Sequence, residues 1–277
     1  MGLANLFVSE SSSRVRSPRN KKPCLVFDSG LFSKGKSRNV NEDAFFQTAT
    51  ALGIADGVSA WRKYGIDAGQ FARELMGTCR DIGLKSNSNC QELATGLGEA
   101  YSRVHAYGSS TALLGFLVDS HILLSALGDS RAIVVRWISG RPIIVFTTEV
   151  SVHSFNCPYQ LARVPKNLNL TSFIHDTSAD ARNYSTEVKS GDLLIMGTDG
   201  LWDNLYDCDL INLLAKEDFF SPQEIAEMLG KQAYLNSKSS NATPFQEAVN
   251  QTYPGAQWRG GKADDITVLA AWVVNLS

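Results

Sequence analysis

Apolar residues come in short blocks along this chain, and the spacing within the blocks changes from one stretch to the next. Residues 24–33 and 44–55 carry strand-like apolar patterns. Helical spacing then takes over, and residues 64–82 and 88–107 read as two helices. In the first, Phe71, Leu75 and Met76 fall on one face, with Arg73 and Glu74 turned elsewhere. Four short apolar runs follow closely: 110–118, 121–127, 131–138 and 141–147. Their breaks, Asp119-Ser120, Gly128-Asp129-Ser130 and Ser139-Gly140, are turn chemistry. Strands joined this tightly form an antiparallel meander rather than a βαβ series. Residues 149–183 show no regular pattern and are expected to form a flap. A strand from Leu193 to Thr198 follows the turn Ser190-Gly191-Asp192. Helices are expected near 208–217 and 222–235. The second opens on Ser221-Pro222-Gln223-Glu224, a capping box with proline at the first helical position. Residues 236–260 read as a polar loop, and Ile266 to Val274 as a closing strand. Antiparallel strands with helices grouped in pairs predict an α+β fold, a β-sandwich covered by helices. No linker or repeat divides residues 23–277, which read as one domain.

Composition narrows the function classes. The 277 residues are 44% hydrophobic and 19% charged, which excludes disorder or low complexity as a description of the whole. Lysine and arginine total 26 against 28 acids, so no basic excess points to nucleic acid. Five cysteines, an odd number without a CxxC pair, argue against a disulfide framework and a zinc knuckle. No apolar run approaches the ~20 residues that span a bilayer. Residues 1–22 differ from the rest: Arg14, Arg16, Arg19, Lys21 and Lys22 face one acid, Glu10, among several serines. That suits an organellar transit segment or a plain basic tail.

The acids are placed unevenly. Ile54-Ala55-Asp56-Gly57-Val58 puts an aspartate where an apolar strand ends. Leu127-Gly128-Asp129-Ser130-Arg131 puts another between two strands. Gly197-Thr198-Asp199-Gly200 repeats the arrangement, with Asp203 four residues on. Lys262-Ala263-Asp264-Asp265-Ile266 opens the last strand, and Asn41-Glu42-Asp43 precedes Ala44-Phe45-Phe46. An acid at a strand end is held by a rigid sheet yet reaches solvent, and several at one end make an all-oxygen site for hard cations. Any one Asp-Gly alone reads as an ordinary turn.

With these stretches on the page, the chain resembles the PP2C-type metal-dependent serine/threonine protein phosphatases (the PPM family). Arg38-Asn39-Val40-Asn41-Glu42-Asp43, Ala55-Asp56-Gly57-Val58, Gly108-Ser109-Ser110-Thr111-Ala112, Leu127-Gly128-Asp129-Ser130-Arg131, Thr198-Asp199-Gly200-Leu201-Trp202-Asp203 and Ala263-Asp264-Asp265-Ile266-Thr267 run in family order over about residues 27–274. Asp56-Gly57-Val58 followed by Trp61 is most similar to a short subgroup whose best-known members are mitochondrial matrix phosphatases, with plastid relatives.

The resemblance implies a four-layer αββα fold and hydrolysis of a phosphoserine or phosphothreonine ester by water activated between two Mn²⁺ or Mg²⁺ ions. Asp56 would bridge the ions. The Gly57 carbonyl would bind one, and Asp199 and Asp264 the other. Glu42 and Asp43 would hold waters around them, and Arg38 the phosphate. Asp129 and Asp203, with Asp199, would form a weaker third metal site. The partner implied is a phosphoprotein substrate, and a monomer suits a domain without extensions. One position departs: many members have histidine directly after the Asp-Gly, as a proposed general acid, where this chain has Val58. His105, His121, His153 and His175 lie in no matching motif.

The other reading is a pseudophosphatase or phosphoprotein-binding regulator, disfavoured because every expected metal acid is present. Asp207-Cys208-Asp209 superficially suggests an aspartyl nucleophile, but no apolar strand precedes it, and it reads as a helix start.

Overall fold

The computed structural model describes residues 24–38, 40–83, 90–168, 174, 176–216 and 221–276. The basic tail and His175 lie outside them.

The chain begins with β1 (Leu25–Lys34), β2 (Ala44–Gln47) and β3 (Ala51–Ala55), then a 3₁₀ turn over Ser59–Tyr64. Helices α1 (Ala68–Gly83) and α2 (Cys90–Ser102) follow. Next come β4 (Gly108–Ser110), β5 (Ala112–Val118), β6 (His121–Leu127), β7 (Arg131–Ile138) and β8 (Arg141–Thr147). A small hairpin, β9 (Val152–Ser154) with β10 (Cys157–Pro158), leads to β11 (Leu161–Arg163), β12 (Arg182–Glu187) and β13 (Leu193–Gly197). The chain then forms α3 (Asp199–Trp202), α4 (Asp207–Lys216), α5 (Pro222–Ser237), α6 (Pro244–Thr252) and β14 (Ile266–Asn275).

Two five-stranded antiparallel sheets, ordered β1-β14-β13-β7-β8 and β12-β6-β5-β3-β2, carry the fold. Three apolar layers bind it together. Leu52, Ile54, Leu113 and Leu124 of one sheet meet Val134, Leu194, Met196 and Leu269 of the other. Phe71, Leu75, Met76 and Cys79 of α1 cover the outer face of the β2–β3 sheet, as the helical spacing predicts. Leu210 and Leu214 of α4, with Ile225 and Leu229 of α5, cover the outer face of the other sheet. β13 shows why such strands read as unbroken apolar runs: Leu194 and Met196 point between the sheets, and Leu193 and Ile195 point to the helices. The result is the α+β, four-layer αββα arrangement.

The capping box at Ser221 is present, with Ser221 Oγ accepting from Glu224 N at 3.2 Å and Glu224 Oε2 accepting from Ser221 N at 3.0 Å. Four expectations are corrected. Residues 44–55 are a hairpin of two strands rather than one. The helix expected from residue 64 starts at Ala68, after the 3₁₀ turn. The stretch 149–183, expected to be an irregular flap, holds the β9–β10 hairpin and β11 and runs into β12, a sheet edge paired with β6 from Arg182↔Ala126 to Glu187↔His121. The supposed polar loop holds α6, capped by Thr243 Oγ1 accepting from Gln246 N at 3.2 Å. Asp207, the superficial nucleophile, opens α4 and is ion-paired with Arg131, with no strand before it.

Candidate active site

Antiparallel pairing brings alternate strand ends to one rim of the sandwich. In one sheet that rim is marked by the pairs Ala44↔Ala55 and Ala112↔Leu127. In the other it is marked by Lys34↔Ile266, Gly197↔Val268 and Gly197↔Arg131. Glu42, Asp43, Asp56, Asp129, Asp199, Asp203, Asp264 and Asp265 all stand just beyond these ends. The first four come from the β2–β3 sheet and its β6–β7 connection, the rest from the facing sheet.

Backbone and hydroxyl bonds lock the rim across the sheets. Asp265, 2% exposed, accepts Lys36 N at 2.7 Å and Glu42 N at 2.8 Å, which pins the loop before β2 to the start of β14. Thr198 Oγ1 donates to Asp43 Oδ2 and accepts from Thr267 N, both at 3.0 Å. Asp56 N donates to Thr111 Oγ1, and Thr111 N to Asp56 O, also at 3.0 Å. Two glycines permit this closeness. A Cβ at Gly57 would stand 2.8 Å from the carbonyl oxygens of Glu42 and Ala68, and one at Gly200 would stand 2.0 Å from the Asp265 carbonyl oxygen. Beyond Val58, Trp61 Nε1 donates to Ser109 Oγ at 2.6 Å, and Ser109 Oγ donates to Gln160 Oε1 at 2.5 Å.

Three cations answer the eight carboxylates. Arg62 forks onto Glu42, Nε to Oε1 at 2.8 Å and Nη2 to Oε2 at 2.7 Å. Lys36 Nζ lies 3.0 Å from Asp264 Oδ1 and 3.4 Å from Glu42 Oε2. Lys262 Nζ pairs with Asp199, with Asp203 Oδ2 at 3.0 Å and with Asp264 Oδ2 at 3.1 Å. None of the three lysine or arginine roles was assigned from sequence. Arg62 lies 20 residues from Glu42 and Lys36 lies 228 residues from Asp264, and the local hints were that Lys36 sits six residues before Glu42 and Lys262 two before Asp264.

The balance is still strongly negative. Burial first, and then Asp199, Asp43, Asp264 and Asp129, hold Asp56 well above the usual carboxylate range. Burial also raises Asp43 well above that range, with Asp265 and Asp199 adding to it against bonds from Thr267 and Thr198. Asp129 is pushed to about 8 and Asp203 to about 7 by burial and the Asp199 charge, against Lys262. Burial raises Asp264 too, but Lys262 and Lys36 outweigh it and hold its carboxyl below the usual range. Asp43 Oδ1, Asp129 Oδ1 and Asp199 Oδ1 are buried without a hydrogen-bond partner. Hard oxygen donors, unpartnered oxygens and surplus negative charge fit divalent cations. As they stand, the acids among the described residues form no group of three placed to hold a metal ion. Lys36 and Lys262 span them instead.

Arg38 is not bonded into this cluster. It is exposed in the turn closed by the Ser37–Val40 bridge, two residues past Lys36. His105 and His121 are exposed. His153 stacks on Tyr159 with ring centres 4.1 Å apart, and its Nε2 lies 3.0 Å from both Asp176 oxygens.

No protein-family model matches the chain. An Arabidopsis thaliana protein named "Probable protein phosphatase 2C 55" is 33% identical over 273 residues, covering 96% of this chain and 56% of that protein. The Homo sapiens "Protein phosphatase PTC7 homolog" is 35% identical over 269 residues, covering 89% of this chain and 83% of that protein. Among solved structures, the photosystem II phosphatase PBCP superimposes with a TM-score of 0.77 at 25% identity, over 90% of this chain and all (100%) of that one. The catalytic domain of the serine threonine protein phosphatase PstP, in complex with 2 manganese ions, gives 0.63 at 18% identity, over 91% of this chain and 100% of that one.

Proposed function

The chain belongs to the PP2C-type family of protein phosphatases, and from that premise we propose that it hydrolyses phosphoserine and phosphothreonine esters in proteins, using two bound Mn²⁺ or Mg²⁺ ions. The observation that carries the reading is the buried, charge-unbalanced acid rim with its three unpartnered carboxylate oxygens.

Asp56 faces the acids of both sheets and would be shared by the two ions. The Gly57 carbonyl, Asp199 and Asp264 would complete their protein ligands. Bound there, the ions would supply an activated water and positive charge against the phosphoryl oxygens. The chain's own residues do the positioning. Arg62 keeps Glu42 in one orientation by its two-pronged contact, and Thr198 does the same for Asp43. Arg38, exposed at the mouth, would grip two phosphoryl oxygens with its planar fork. Val58 carries no proton to give the leaving oxygen, so poor leaving groups should be cleaved more slowly than aryl ones.

The test is release of phosphate from a phosphothreonine peptide with Mn²⁺, Mg²⁺ or EDTA, beside Asp56→Asn. Metal-dependent release lost in the variant is expected. A folded wild type that binds Mn²⁺ but releases nothing from peptides or aryl phosphates would favour a phosphoprotein-binding regulator. Residues 1–22 support an organellar location, the mitochondrion first, and fusing them to a fluorescent reporter tests that.

A further inference from the structure

We propose that the Lys262 ammonium is a built-in cation standing where a third divalent ion would bind, so that this chain holds two ions and not three. The inference rests on the two-ion reading of the same rim.

Lys262 Nζ reaches an oxygen of Asp199, Asp203 Oδ2 at 3.0 Å, Asp264 Oδ2 at 3.1 Å and Asn156 Oδ1 at 2.9 Å. Four oxygens on one ammonium use up its three N–H donors. They also include the two aspartates, Asp199 and Asp203, on which a third ion would depend. The side chain is only 15% exposed. Its position is not left to a flexible stem, because the backbone beneath it is bolted down. Lys262 N donates to Asn204 Oδ1, and Asn204 Nδ2 donates to Lys262 O, both at 2.9 Å. Asn204 is 1% exposed and also donates to Gly200 O at 2.9 Å, in the short helix that carries Asp199. An ion between Asp199 and Asp203 would have to expel this ammonium, whereas the ion placed on Asp199 and Asp264 finds Asp199 Oδ1 without a partner and has only to draw Asp264 off its lysine contacts.

The fourth contact gives the lysine a second task. Asn156 is the tip of the β9–β10 hairpin, in a left-handed conformation with φ 54°. Lys262 therefore ties that hairpin to the acid rim without any metal. An ion in the same place would make the tie conditional on metal supply.

The experiment is calorimetric titration of the full chain with Mn²⁺, with metal content of the dialysed protein as a second measure. Wild type should saturate at two ions. Lys262→Met should take up three, and Lys262→Met combined with Asp203→Asn should return to two. Lys262→Arg, which keeps the charge, should stay at two. Lys262→Gln replaces Lys262→Met if the latter fails to fold. By hydrogen exchange in EDTA, the amides of residues 152–157 should stay protected in wild type and exchange at least tenfold faster in the neutral variant. Three ions in wild type, or two in a folded neutral variant, would overturn the inference while leaving the two-ion phosphatase intact. Fewer than two in folded wild type would sink both.

Discussion

Replacing Asp129 by asparagine removes one ionisable group from the rim and should stabilise the metal-free protein in a pH-dependent way. Burial and the Asp199 charge raise this carboxyl from 3.8 to about 8. An unfolded aspartate titrates near 3.9, so the folded chain holds a proton that the unfolded chain gives up. The sign follows from that difference. Below about pH 4 both states are protonated and the residue costs nothing. Above it, the folded state loses stability by about 1.4 kcal/mol per pH unit until the folded carboxyl ionises near 8. The full shift corresponds to a ceiling of about 6 kcal/mol, and relaxation around a rim residue should leave roughly half. Asparagine does not ionise and carries no such penalty. Urea unfolding in EDTA should show the variant's advantage growing from near 1 kcal/mol at pH 5 to about 2–4 kcal/mol at pH 8.5. An advantage that is flat with pH, or that shrinks as pH rises, would refute the account of repelling buried carboxylates.

Three further outcomes follow from other parts of the molecule. Arg38→Ala should lower kcat/KM on a phosphothreonine peptide by about 10²-fold, with Mn²⁺ stoichiometry unchanged; changed metal content would show that Arg38 is not simply a phosphate contact. Thr198→Val deletes the buried hydroxyl that serves Asp43 and Thr267 N. It should cost about 2–3 kcal/mol in urea melts, whereas Thr198→Ser should cost under about 1. Cys79, 3% exposed with its thiol pushed to about 12 by burial, should resist a thiol reagent at pH 8 that modifies exposed Cys24 and Cys208. Rapid modification of Cys79 in the folded state would mean that α1 opens readily.

The sandwich was readable in advance because its central strands are buried on both faces. β13 and β14 have nowhere to place polar residues except at their ends, so the chemistry collects there, and the acids stand out as interruptions of apolar runs. Edge elements lack that contrast. β12, Arg-Asn-Tyr-Ser-Thr-Glu, pairs on one side only and keeps mostly polar, exposed side chains, so it reads as irregular chain. α6 spans only nine residues and follows a run of serines and asparagines. The acids of the site were legible one by one, but their cations were not. Lys36, Arg62 and Lys262 look like ordinary surface charges until folding brings them onto acids that include ones far away in sequence, such as Asp264 for Lys36 and Asp199 for Lys262.

Because Asp43 and Asp56 hang from one sheet and Asp199 and Asp264 from the other, the proposed ions would act as a clasp along one edge of a book. Each ion at a hundredfold excess over its dissociation constant adds about 2.7 kcal/mol to the closed form. Cation supply would then govern how long a molecule survives as well as how fast it works. A metal-starved chain should then part at the rim first and be cut there. Limited proteolysis with and without Mn²⁺ would show this as a metal-sensitive lifetime, and equal lifetimes would mean that the covers stay shut unaided.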